Sequence, residues 1–293
     1  MNTPTIRPPA VAGTFYSDRP EKLAAAVENL LSQAQDAELG PVRALIAPHA
    51  GYRYSGPVAA SAFQQLERAR SASPGCCAKT GLSGVGSSGV EIDRSGEARP
   101  TVYLLGPAHY VYVESVALSP ADAFETPLGL VPQNRAAIDG LLARGRAYQL
   151  DALAHQPEHS LEVELPFLQA TLGDFDLVAM LCGQPDVAQV AGDLAQQLQP
   201  GDLAVVSSDL SHYHPYETAQ RLDRAFLEAV LTGDATRAAQ GEACGLQSIL
   251  ILMHLAQLKG WTPHLLDYRN SGDTSGDKSR VVGYSAVVYV GER

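Results

Sequence analysis

The sequence predicts a single α/β domain, an α/β/α sandwich around a mostly parallel or mixed central sheet. Two patterns carry this expectation. Short apolar runs of strand length alternate along the chain with longer segments of helical period, as crossover connections require. The runs at 42–47, 102–105 and 203–206 are apolar at most positions, the mark of strands covered on both faces. A chain of 293 residues, 45% hydrophobic and 18% charged, can bury such a core without disulfide or metal staples. No composition shift divides it, so residues 1–293 are expected to form one domain.

The elements follow in order. Residues 20–37 place Leu23, Val27, Leu30 and Leu31 at helical spacing behind Pro20, which suits a first turn. Val42 to Ala47 reads as a buried strand stopped by Pro48, and 57–68 as the helix after it. Residues 71–99 are crowded with Gly and Ser and have no apolar period, so they read as a flexible surface insertion. Gly84, Gly86 and Gly89 within it spell G-x-G-x-x-G. No strand precedes that run and no helix follows it, so it is not read as a dinucleotide fingerprint. Strands are then expected at 102–105, 115–118, 177–181 and 203–206. Helices are expected at 133–144, 161–172, 186–198 and 216–231. The segment 246–258 is apolar on nearly every side, which marks a central buried helix ended by Lys259 and Gly260. Strands at 265–268 and 281–290 close the pattern.

Asp plus Glu outnumber Lys plus Arg by 32 to 21, a formal net charge of -11. That sign argues against a nucleic-acid partner or an anionic membrane surface. No apolar run reaches the length of a membrane span, and prolines interrupt the first residues where a signal peptide would be apolar. Cys76, Cys77, Cys182 and Cys244 are too few for a disulfide framework, so a reduced, cytoplasmic setting is expected.

Three strands end alike. The first runs into Pro48-His49, the second into Gly106-Pro107-Ala108-His109, the third into Ser207-Ser208-Asp209-Leu210-Ser211-His212. Ligands of open α/β sheets bind at the carboxyl ends of strands, so His49, His109, Asp209 and His212 all arrive at the edge where sites form. Cys244 lies just before the buried helix, where the positive end of the dipole favours thiolate, the metal-ligating form. With His49 and His109 it makes a two-imidazole, one-thiolate set suited to Fe(II), Cu or Zn. His159, in Glu158-His159-Ser160-Leu161-Glu162, is either a catalytic helper at a helix N-terminus or part of an ordinary capping segment. His155 and His159 have zinc-like H-x-x-x-H spacing, but Pro157 between them denies the shared helix face. No G-x-S-x-G elbow is present for a serine hydrolase.

At this point the motifs resemble the Memo family, also called AmmeMemoRadiSam system protein B. The matching segments are RPPAVAGTFY, APHAGYRYSGPVAASAF, LLGPAHY, ETPLGLV, EHSLEVELPFLQ, SSDLSHYHPY, EACG and SGDTSGDKSRVVGYSAV, spanning Arg7 to Val290 apart from the insertion. The resemblance implies a fold like class III extradiol dioxygenases, which are non-haem iron enzymes. It puts His49, His109 and Cys244 at the metal positions, with the thiol where those dioxygenases carry a carboxylate. It puts His212 at the acid/base position with Asp209 beside it. His159 is a further catalytic candidate, and Tyr54 and Tyr16 are candidate substrate-binding residues. It also implies a divalent metal, Fe(II) first and Cu or Zn as alternatives, a small substrate or peptide in the cleft, and a functional link to a radical-SAM protein. Phosphotyrosine-peptide binding is proposed for some members, but Phe15-Tyr16 stands here where animal members carry Trp-Tyr. Three readings stay open: a metal-dependent oxidoreductase on a small substrate, a non-catalytic binding protein with a vestigial site, and a Zn hydrolase with His212 as base.

Overall fold

The computed structural model describes residues 3–71 and 99–291. The expected insertion and its glycine motif fall almost wholly outside the described residues. The strands are β1 (Ile6–Arg7), β2 (Val42–Ala47), β3 (Thr101–Pro107), β4 (Val116–Leu118), β5 (Ala123–Thr126), β6 (Gly129–Pro132), β7 (Tyr148–Leu150), β8 (Asp176–Cys182), β9 (Leu203–Ser207), β10 (His212–His214), β11 (Thr262–Asn270) and β12 (Val281–Val290). The helices are α1 (Pro20–Gln33), α2 (Tyr52–Ser71), α3 (Arg135–Leu142), α4 (Ala152–His155), α5 (Leu165–Leu172), α6 (Val187–Gln197), α7 (Tyr216–Thr232), α8 (Ala235–Ala238), α9 (Leu246–Lys259) and α10 (Ser271–Ser275).

The main sheet runs β10-β12-β2-β9-β3-β8-β4-β7, with β11 also paired to β12. Its centre, β2-β9-β3-β8, is parallel. β12 joins β2 and β4 joins β8 antiparallel, so the sheet is mixed. Ala47 pairs with Ser207, and Pro107 with Cys182. The four parallel strands therefore deliver their last residues to one edge.

Successive strand residues face opposite layers, as the period of two demands. Leu45, Leu104 and Val205 pack with Leu23, Val27, Phe63 and Phe167 of α1, α2 and α5. Ile46, Leu105 and Val206 pack with Val190, Phe226 and Ile249 of α6, α7 and α9. Fully burying a side chain of this kind contributes roughly 1.5–3 kcal/mol. The helix α9 is buried from Ser248 through Met253 and ends on left-handed Gly260, as its all-round apolar sequence predicts.

Several boundaries move for identifiable reasons. The helix α1 stops at Gln33 because its apolar stripe ends at Leu31 and Ala34 is extended. The helix α2 starts at Tyr52, before Pro57, which sits inside it and costs one backbone donor. The segment 161–172 divides into a 3-10 turn, Glu162–Glu164, and then α5, whose first turn accepts Pro166. The sequence pattern does not announce the small sheet β1-β5-β6. That sheet matters because β1 carries Arg7. Among the described residues no helix is long and apolar enough to cross a membrane.

Candidate metal centre

The strand-end histidines converge. His49 follows β2, His109 follows β3, and the loop between α4 and the 3-10 turn brings His159 beside them. Ligand atoms of the three imidazoles all lie within 4.8 Å of one another, a group able to hold a metal ion. The His49 ring meets the other two edge-on at 5.2 and 5.5 Å between centroids. His109 and His159 stack at 4.8 Å.

His49 is buried, and its backbone N–H donates to Asp209 Oδ1 at 2.9 Å. Its Nδ1 lies 2.8 Å from Ser207 Oγ. That hydroxyl also lies 2.6 Å from the Ser160 carbonyl and 2.7 Å from Glu164 Oε1. A hydroxyl has one proton, and a carbonyl can only accept. Ser207 therefore donates to Ser160, and both remaining neighbours must bring protons. Burial holds the Glu164 carboxyl well above the carboxylate range, consistent with its being the protonated partner. His49 then carries its proton on Nδ1, and Nε2 keeps a lone pair. Burial, followed by the neighbouring imidazoles, depresses the His49 pKa, so the ring is neutral. Ser207 is fully buried and committed in three directions, which excludes it as a nucleophile.

His109 is arranged differently. Its Nδ1 donates to Glu158 Oε1 at 2.9 Å, again leaving Nε2 with a lone pair. The same carboxylate accepts the backbone N–H groups of His109, His159 and Ser160. Burial pushes Glu158 upward, but the His109 hydrogen bond and charge and these backbone donors prevail, holding it at about 2. The Nδ1 of His159 is buried without a hydrogen-bond partner. It lies 3.3 Å from Glu158 Oε1, close enough for attraction, though the pair lacks hydrogen-bond geometry. Burial depresses the His159 pKa.

The Glu158 segment is held from behind. Arg7 of β1 is buried and donates through Nη2 to the Glu158 carbonyl, through Nη1 to Glu162, and through Nε to the His155 carbonyl at 3.1 Å. Glu162 also accepts the N–H groups of Ala10 and Val11 and the Tyr16 hydroxyl.

Cys244 Sγ lies 3.4 Å from His49 Nε2, and it accepts the Asp209 N–H at 3.2 Å. For comparison, one nitrogen and one sulfur donor on a tetrahedral ion are roughly 3.5 Å apart. The expectation of a thiolate made by the helix dipole is corrected. The N-cap of α9 is Gly245, so Cys244 lies just outside the helix. Burial, followed by the Asp209 charge, pushes its thiol up. Only a bound cation would bring it to thiolate.

Other expectations need revision. Asp209 lies beneath His49 rather than pairing with His212, and burial raises its carboxyl to about 7. The His212 Nδ1 is taken by the Leu210 carbonyl at 2.7 Å. Burial depresses the His212 pKa, and the group able to hold a metal is formed by His49, His109 and His159 without it. Tyr16 is not on the substrate side. It is buried with its hydroxyl on Glu162, and Phe15 instead meets the His159 ring at 4.9 Å. The ring of Tyr54 is covered by the Arg53 guanidinium at 4.3 Å. His155 is a satisfied core histidine, its Nε2 3.0 Å from the Ala117 carbonyl.

Sequence reasoning gave Glu158 only a capping role and did not single out Ser207, Glu164 or Arg7 for the site. Glu158, two residues ahead of a serine at the start of a turn, was the one usable signal.

The fold and cluster together define an α/β protein with a histidine-rich, metal-competent centre at the carboxyl edge of a mixed sheet. The Memo-like protein family matches residues 7–74 and 85–288. MEMO1 family proteins from Ignicoccus hospitalis, Thermotoga sp. (strain RQ2) and Archaeoglobus fulgidus are 34%, 32% and 32% identical to it. Each alignment covers 97% of this chain and 98%, 99% and 99% of the relative. The chain belongs to the Memo family. A solved structure, an uncharacterized protein from Escherichia coli K12, matches with a TM-score of 0.49 and 12% identity over 86% of this chain and 100% of that one.

Proposed function

We propose that the protein is a metal-dependent oxidoreductase acting on a small molecule, with iron as the metal and His49, His109 and Cys244 as its ligands. The observation that carries this reading is the orientation of His49. Its Nδ1 is tied to Ser207 while its Nε2 lone pair faces Cys244 at 3.4 Å. His109 presents a second free Nε2 under the control of Glu158. Two imidazoles and one thiolate leave coordination positions for a substrate, as catalytic sites require, and this donor set suits Fe, Cu or Zn. When bound, the metal would supply a redox centre and a Lewis acid.

The chain's own residues supply the rest. Glu158 orients His109. Ser207, with Glu164 behind it, fixes the His49 tautomer. His159 is a neutral imidazole beside the ligands, with a buried unpartnered Nδ1, and it takes or gives the substrate's proton. His212 at the margin serves the same end from the other side.

The test is metal stoichiometry after anaerobic reconstitution of wild type and single variants. His49→Ala and His109→Ala should lose the metal. Cys244→Ser should weaken binding at least tenfold, because serine is a poor ligand at neutral pH. His159→Ala should keep the metal and lose substrate turnover. If His159→Ala empties the site while Cys244→Ser leaves it full, the centre is a three-imidazole site and this assignment is wrong.

A further inference from the structure

Beside the cluster lies a cleft of about 350 Å³, bounded by the segment 107–113, the turn after β8 and the start of α9. Its volume falls in the range of small-molecule sites. Cys244 forms one wall, so the cleft opens onto the proposed metal face. Gly183 forms part of its floor. A Cβ there would come within 1.6 Å of the Val113 carbonyl oxygen, so the two backbones touch and the floor has no room for a side chain.

The lining chemistry is selective. Among the described residues, no Asp, Glu, Lys, Arg or His borders the cleft. That is notable in a chain with 21 Lys plus Arg, 32 Asp plus Glu and 8 His. The apolar walls come from Val111, Val113 and Leu246, while Gln184 and Gln247 supply amides that both donate and accept. In the metal-free chain, a charged ligand entering this cleft would surrender water without meeting an opposite charge. An uncharged one would lose little.

We propose that this cleft binds an uncharged small molecule, part apolar and part hydrogen-bonding through a group such as an amide or hydroxyl, and presents it to the Cys244 side of the cluster. The inference deepens the metal-site reading by naming its substrate class, but the binding itself is a property of the metal-free chain. Gln184 and Gln247 take the polar group, and the valines and Leu246 take the body. Tyr112 is 80% exposed at the rim.

The test uses three isosteric probes on metal-free full-length protein: 4-fluorobenzamide, 4-fluorobenzoate and 4-fluorobenzylamine, followed by fluorine NMR line broadening. The amide should bind at least tenfold more tightly than either ion. Val111→Trp, which fills the cleft, should abolish that binding. Gln247→Glu, which adds one negative charge to the wall, should shift preference towards the benzylamine. Binding of benzoate equal to the amide, no binding of any probe at 10 mM (roughly the weakest limit for a fragment of this size), or binding untouched by both variants would overturn the proposal. Amide binding in a chain that takes up no metal would leave this inference standing and remove the metal reading, so the two fail separately.

Discussion

His49 and His109 face one another from strands on either side of β9, yet opposite means hold them. Behind His49 the partners are neutral: a serine hydroxyl, a carbonyl and a protonated carboxyl. Behind His109 stands an ionised carboxylate with three backbone donors. The donors around each carboxyl explain the difference. His49 is 2% exposed, where an ionised partner would carry a large desolvation cost. Glu158 is nearly as deeply buried, its side chain 2% exposed, but its charge is met by the His109 ring and three backbone N–H donors. An imidazole can therefore be oriented by two electrostatic routes, and the number of donors around the carboxyl selects between them.

The sharpest way to break the comparison is Glu158→Ala. It strips an acceptor from three backbone N–H groups, one buried and two part-buried, and from His109 at once, and should destabilise the fold by about 3–5 kcal/mol, read by chemical denaturation. Glu158→Gln preserves the shape but not the charge and should lose about half as much, roughly 1–3 kcal/mol. Equal losses from both variants would mean that the charge contributes nothing.

The Asp209 carboxyl tests the neutral side by pH. Burial raises it from 3.8 to about 7, so between those values the folded chain holds a proton that the unfolded chain has released. Stability conferred in the protonated state is complete below pH 3.8 and is lost as pH rises through 7. Asp209→Asn keeps an acceptor for the His49 N–H without this titration. In metal-free protein it should flatten the stability profile across that window and exceed wild type above pH 7 by on the order of 2 kcal/mol.

The smallest effect is expected from Ser207→Ala, about 1–2 kcal/mol. Its more telling readout is nitrogen NMR of His49, where the Nδ1–H tautomer should give way to a mixture. A tautomer that stays unchanged would show that Ser207 does not set it.

Much of this site was legible in the chain. His49 and His109 each follow a short apolar strand, and the strand-end rule placed them on one edge before any geometry was known. Cys244 before α9 does lie 3.4 Å from His49, but the thiolate expected from the dipole fails, because local desolvation outweighs a dipole whose helix begins two residues later. Tyr16 was misplaced for a simpler reason. Adjacent side chains diverge, and only the folded segment shows that Phe15 takes the His159 side while Tyr16 takes Glu162. Ser207, Glu164 and Arg7 are common residue types without a periodic pattern. Their importance comes from contacts across distant segments, which no local spacing encodes.

The Arg7 clamp has a consequence for the order in which the molecule is made. Arg7 meets Glu162 across a separation of 155 residues, and His49 meets Cys244 across 195. Contacts of such span form late and slowly, after the entropy of closing a long loop has been met. On the ribosome, β1 must wait for more than half the chain to emerge before its arginine has an anchor, and His49 waits longer still for its thiol. Until then a nascent chain displays imidazoles without the contacts that hold them.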